Sequence, residues 1–255
     1  MKQLFPHMTD SPERSQVLGG LVYGAFPFLI LPFTLMLFTV GVKDTGLYAV
    51  LECIYQAINF LALFAIFRTY LLDSWFTFGL QTRKVLGLSI ICALLILLCY
   101  ILVAAAFLHS GSDQATLVFQ GALPVTGIEL MLLPGQFALF GGILGVLFLV
   151  FLGPVTNACM YYATAFSPLC AKGRPFIAYL GVAALTAVPR VITYFTIWGG
   201  WKENLLYLAQ LPIHLFSCWL YQRTNTIWAP IITHAIVNAA CCLTLYVLRF
   251  LGCLS

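Results

Sequence analysis

The sequence predicts an all-α fold, a polytopic membrane helix bundle of seven or eight transmembrane helices, and three observations carry the prediction. Of 255 residues, 62% are hydrophobic and only 8% are charged, where soluble domains carry roughly 25% charged residues. The mean hydropathy is +1.00. No charge falls between Arg14 and Lys43, Lys84 and Asp113, Glu129 and Lys172, or Arg223 and Arg249, and each of these runs exceeds the about 20 apolar residues needed to cross a hydrocarbon core. A soluble globular fold is excluded. Twelve Lys and Arg against eight Asp and Glu leave a net charge of +4, too sparse for the clustered phosphate contacts that nucleic-acid binding requires. The first partner is the lipid bilayer itself.

In chain order, residues 1–16 form a polar segment of mixed charge (Lys2, Asp10, Glu13, Arg14). The apolar run behind it is longer than a signal peptide's core of roughly 7–15 residues, so it reads as a retained first span. Residues 17–124 hold the N-terminal transmembrane helices, including Gly46 to Phe67 with Glu52 inside it and the charge-free run after Lys84. Residues 125–255 form the second unit. Its first part, Val125 to Phe166, is too long for one straight helix and is interrupted at Pro134-Gly135 and Gly153-Pro154. It crosses once or twice, with a re-entrant or surface piece as the alternative. Phe176 to Trp198, interrupted by Arg190, Asn204 to Gln222, and the run after Arg223 complete the set.

Orientation follows from loop charge. Arg68, Arg83 and Lys84 share one loop, whereas the loop from His109 to Leu123 has no Lys or Arg, which places the first loop and the N-terminus inside. With one crossing in Val125 to Phe166, Lys172, Arg174 and Arg223 fall inside too. Short polar loops and the lack of a targeting signal point to a cell membrane, of the bacterial inner-membrane kind.

Nine cysteines include no CxxC pair, and most sit inside apolar spans, where a free thiol packs as a small hydrophobe. Of four histidines only His214 and His234 lie in spans, whereas a catalytic zinc wants three protein ligands. Neither a metal nor another cofactor is expected.

Polar groups within lipid are costly and become functional candidates by default. Here they gather in the C-terminal half beside prolines: Gly153-Pro154 before Thr156 and Asn157, Pro189 before Arg190, Pro212 before His214. Each intrahelical proline frees a carbonyl about one turn earlier, which must find a partner on another helix or in a wet cavity. The pattern predicts an internal polar pocket. In the last span Thr226 fits an N-cap and Pro230 lies early enough to be tolerated. His234 and Asn238, four residues apart, share one helix face and can offer two donors to a single oxygen. The plainer alternative is an interhelical hydrogen-bonding pair without chemistry.

The string from Tyr221 to Asn238, a polar Arg223-Thr224-Asn225 turn, then Trp228-Ala229-Pro230, three residues, His234, three residues and Asn238, resembles the last motif of the CAAX-protease and bacteriocin-processing (CPBP, or Abi) intramembrane peptidases. The resemblance covers roughly residues 135–248. The family's first motif, Glu-Glu-x-x-x-Arg after a proline, falls on Asn157, Ala158 and Tyr162; its second, Phe-x-x-x-His, falls on Thr186 and Arg190. The basic hairpin with Lys172, Gly173 and Arg174 stands between them. What the resemblance implies is a general-base glutamate that activates water, with the motif histidines and asparagine holding the oxyanion or the water. Asn157 and Ala158 cannot accept a proton, and the guanidinium of Arg190 cannot shuttle one. His234 and Asn238 alone match.

Three functions of different classes follow. The leading one is a catalytically degenerate relative that keeps the pocket and binds a membrane-bound peptide or protein partner. The second is an active intramembrane endopeptidase, for CAAX-type processing or bacteriocin immunity, in which Glu129 or Glu52 serves as base. The third is a small transporter with Arg190, a glutamate and His214 along its path, although no internal repeat supports it. Helix rise places Asn157 about 14 Å and His234 about 11 Å from their inner helix ends, so Asn157, Arg190, His234 and Asn238 are expected at similar depth around one cavity. Arg190 is expected to find a carboxylate, Glu129 or Glu52, or proline-freed carbonyls.

Overall fold

A computed structural model describes residues 11–25, 45–109, 143, 146–197 and 211–250, with the backbone alone given for 24–25, 45–53, 55–56, 107–109, 187–197, 245–246 and 248–250. Among the described residues the chain forms seven helices and no strands: α1 (Arg14–Ala25), α2 (Thr45–Leu80), α3 (Thr82–His109), α4 (Leu147–Ala171), α5 (Pro175–Ile197), α6 (Leu211–Thr224) and α7 (Trp228–Phe250). Ala57–Leu80, Thr82–Ala106 and Leu147–Ala171 are long and apolar enough to cross a membrane. The all-α membrane bundle read from composition is the observed architecture.

Large apolar side chains cover the outside of the bundle as well as filling its core. On α3 the buried positions are Val85, Ser89, Cys92, Ala93, Ile96, Tyr100 and Ala104, most of them spaced by three and four along the helix, while Leu94, Leu98, Ile101 and Leu102 face outward and are exposed. Apolar side chains on the outer face suit a solvent of lipid tails, where helices associate by close packing and hydrogen bonds. The helices α4 and α7 lie at the centre. α7 touches α2, α3, α4 and α6, while α4 also meets α1 and α5. Residues Ala158 to Thr164 of α4 are buried without a break.

Two expected boundaries move. Helix α2 runs to Leu80, well past Phe67, because Arg68 and Asp73 lie on its exposed side and no proline follows to stop it. Gly153-Pro154 does not break the chain either. α4 continues from Leu147 to Ala171 through that pair by widening locally into π-helical turns at Leu147–Leu152 and Ala158–Phe166. The preceding part of Val125 to Phe166, with Pro134-Gly135, lies outside the described residues, as does Glu129.

The turns at one end are well defined. Gly173, at φ 75°, closes α4: its N–H donates to Cys170 O at 2.9 Å and that of Arg174 to Leu169 O at 3.1 Å, the paired bonds of a Schellman stop, for which glycine is suited. Pro175 then starts α5, where a missing N–H costs nothing. Asn225, at φ 54°, turns α6 into α7. Ser74 of α2 reaches this turn. Its hydroxyl accepts the Ile227 N–H at 3.0 Å and pairs with Thr226 Oγ1 at 2.9 Å, and Thr226 donates to Ser74 O at 3.0 Å. The contact from Trp228 N–H to Thr226 Oγ1 is long, at 3.4 Å. The N-cap expected of Thr226 is therefore largely supplied by a serine from another helix. At this same end lie all nine described charged side chains, seven basic and two acidic, every one exposed.

Candidate polar site between helices α4, α6 and α7

The site starts from the irregularity of α4. In its first π-helical turns the Gly153 N–H donates to Phe148 O, five residues back. The next donor in that series would be residue 154, and its acceptor would be Leu149 O. Pro154 has no N–H. The orphaned Leu149 carbonyl is instead bound by Asn238 Nδ2 of α7 at 2.7 Å, both residues being buried. A proline-freed carbonyl thus finds its partner across the helix interface. Gly153 relieves crowding in the same turn, since a Cβ there would stand 3.0 Å from Phe148 O.

Lower in α4 the second π-helical stretch presents Tyr162 to both α6 and α7. Its hydroxyl lies 2.7 Å from His234 Nε2 and 3.1 Å from His214 Nδ1. All three side chains are buried, Tyr162 completely. A phenol oxygen can donate one hydrogen bond and accept two, and a neutral imidazole donates through one nitrogen and accepts through the other. The three rings can therefore hydrogen-bond one another without any charge, which suits the bilayer interior. Tyr161 packs its ring edge-on to His214 at 5.0 Å between centroids, and the two imidazoles are 5.5 Å apart. Ser217 is fully buried on α6, and among the described residues its hydroxyl has no hydrogen-bond partner.

The positions singled out in the sequence divide into three sets. His234, Asn238 and Tyr162 come together at the α4–α7 interface. His234 and Asn238 share a helix face but not an oxygen: one meets Tyr162 and the other Leu149 O. Two imidazole nitrogens do converge on a single oxygen, but the second belongs to His214. On α4, Asn157 lies between the two π-helical stretches and Ala158 opens the second; Asn157 is half-buried, and Ala158 is fully buried in the cluster of Leu63, Phe67 and Tyr162. Thr186 is buried on α5, yet its hydroxyl donates to Val182 O at 2.9 Å and Ala183 O at 3.1 Å, back onto its own helix. Arg190 lies on α5, and its side chain is outside the described residues, as are Glu129 and the side chain of Glu52 proposed to meet it.

His214 was the residue that motif reasoning passed over. Its signals were its place in an apolar span and Pro212 two residues before it. The described polar groups here are imidazole, phenol, amide and hydroxyl, and among the described residues no group of three or more His, Cys, Asp or Glu gathers. The described carboxylates, Glu13 and Asp73, are exposed at the basic end.

Residues 139–240 match the family model described as Type II CAAX prenyl endopeptidase Rce1-like. The match encloses every site position from Asn157 to Asn238 and lies within the stretch whose motifs resembled the CPBP peptidases. No curated protein and no solved structure matches the chain.

Proposed function

With residues 139–240 Rce1-like, we propose that this membrane protein is a catalytically degenerate relative of the CPBP peptidases, which binds a membrane-embedded peptide or protein partner at the polar site of α4, α6 and α7. One observation carries the reading. Where the motif would place its two glutamates the chain has Asn157 and Ala158, and Ala158 is fully buried among apolar side chains. Neither accepts a proton from water. What remains is a set of neutral hydrogen-bonding groups on three helices, suited to holding a peptide group rather than cleaving it.

The same reading puts the basic end of the bundle, with Lys172, Arg174 and Arg223, in the cytoplasm, by the excess of seven described cations over two acids there. The N-terminus is then inside, and the bacterial inner membrane is the host that the sequence favours. The test is reconstitution in liposomes with a mixed library of prenylated and transmembrane peptides. Peptides retained intact support the proposal. Solute flux without peptide capture contradicts it and favours the transporter.

A further inference from the structure

Two imidazoles from different helices meet a single oxygen, and that oxygen belongs to the protein itself. His214 Nδ1 and His234 Nε2 stand 3.1 and 2.7 Å from Tyr162 Oη. A pair of ring nitrogens converging on one point from α6 and α7 is a receptor for an oxygen atom. Tyr162 fills it from the third side. We propose that the Tyr162 hydroxyl is a displaceable internal stand-in, and that a peptide carbonyl oxygen takes its place between His214 and His234. This rests on the peptide-binding reading above and names the atom recognised and the group that guards it.

The chemistry of the exchange is balanced without any change of charge. A carbonyl oxygen has two acceptor sites and no hydrogen. Each neutral ring can place its single N–H on the nitrogen facing that oxygen, so the pair offers two donors. An ammonium or guanidinium ligand offers no acceptor and fits poorly. A carboxylate would bring an unpaired charge into the bilayer, where it is costly.

The helix carrying Tyr162 has a built-in route for withdrawing it. Tyr162 is in the middle of the π-helical stretch Ala158–Phe166, a rare geometry that occurs mostly in short pieces and often at functional sites. The Thr164 hydroxyl donates to Cys159 O, five residues back, at 2.8 Å, and so ties down a carbonyl within the widened stretch. Returning one turn to α geometry shifts the register by one residue, about 100° around the helix axis. Such a shift swings Tyr162 away from α6 and α7. Helix α1 packs on this lock, since a Cβ on Gly20 would stand 2.5 Å from Thr164 Oγ1.

The probe is a lipid-soluble aliphatic ketone, 2-decanone labelled at its carbonyl carbon, titrated into the full-length protein in nanodiscs. Binding is read from the infrared carbonyl stretch. Tyr162→Phe removes the stand-in oxygen and keeps the ring, so it should tighten ketone binding about tenfold and shift the stretch to lower frequency. Adding His214→Leu to that variant should abolish both effects. Thr164→Val, which touches neither histidine, should also tighten binding. Unchanged or weaker binding by a folded Tyr162→Phe protein overturns the proposal. In the wild type, the ¹⁵N resonance of the His234 ring should move at saturating ketone, and no movement there overturns it equally, whatever the variants do. His-dependent ketone binding with no retained peptide leaves this site standing and removes the peptide-binding function. Retained peptides whose affinity ignores Tyr162 and His214 do the reverse.

Discussion

The hydroxyl of Tyr162 and Nε2 of His234 lie 2.7 Å apart although 72 positions separate the two residues in the chain. Both are buried, so the bond gives His234 Nε2 a partner in lipid, while the Tyr162 hydroxyl has His214 as its second. His234→Ala should therefore act first on stability, lowering it by about 1–3 kcal/mol for the hydrogen bond lost from a buried phenol. Reversible unfolding in mixed micelles measures this. A variant as stable as the parent would show that the contact contributes nothing.

The pairing of Asn238 with Leu149 O predicts an interaction with Pro154. Asn238→Leu alone should cost about 1–3 kcal/mol, because it leaves the Leu149 carbonyl unsatisfied. Pro154→Ala restores an N–H that can serve the same carbonyl. In the Pro154→Ala background the asparagine should matter less, with a coupling of about 1 kcal/mol in a double-mutant cycle. Additive effects would contradict the assignment of Asn238 as the substitute donor.

The turn between α6 and α7 offers a third test. Ser74→Ala removes the acceptor of the Ile227 N–H and the partner of Thr226 Oγ1 at once, and the end of α7 should lose about 1–2 kcal/mol, as for a helix cap. Hydrogen exchange should rise at residues 226–229 while that of α3 stays unchanged. Equal protection in both proteins would remove the interhelical cap.

The spans were legible because lipid leaves few choices: charge-free runs gave α3 and α7 nearly to their ends, and the basic hairpin at Lys172, Gly173 and Arg174 falls where α4 gives way to α5. Less of the site was legible. His234 and Asn238 were visible as a pair four residues apart, and Pro154 announced a freed carbonyl. That Asn238 would answer Pro154 depends on how α7 packs on α4, which spacing along one helix does not contain. His214 was hidden for the same reason, since its partners are on two other helices. The widening of α4 was also invisible: the Gly153-Pro154 pair suggested an interruption, whereas neighbouring helices hold the segment together as one span.

Topology gives a fourth expectation. Cysteine placed at Lys172, in an otherwise cysteine-free and still folded background, should be blocked by an impermeant maleimide only from the cytoplasmic side, as the basic end predicts. Labelling in intact cells would invert the orientation.

The central claim is that the site binds without cleaving. Its most direct measurement is peptide hydrolysis by the purified protein in liposomes, followed by mass spectrometry on prenylated and transmembrane peptides, beside His234→Ala and Glu129→Gln variants. Loss of a positioned base typically costs about 10²–10⁴-fold in rate, and several losses from one catalytic unit leave little more than residual transition-state binding. The prediction is no cleavage above the protein-free control from any of the three. Reproducible cleavage by the parent that disappears in either variant would contradict the account and establish an active peptidase.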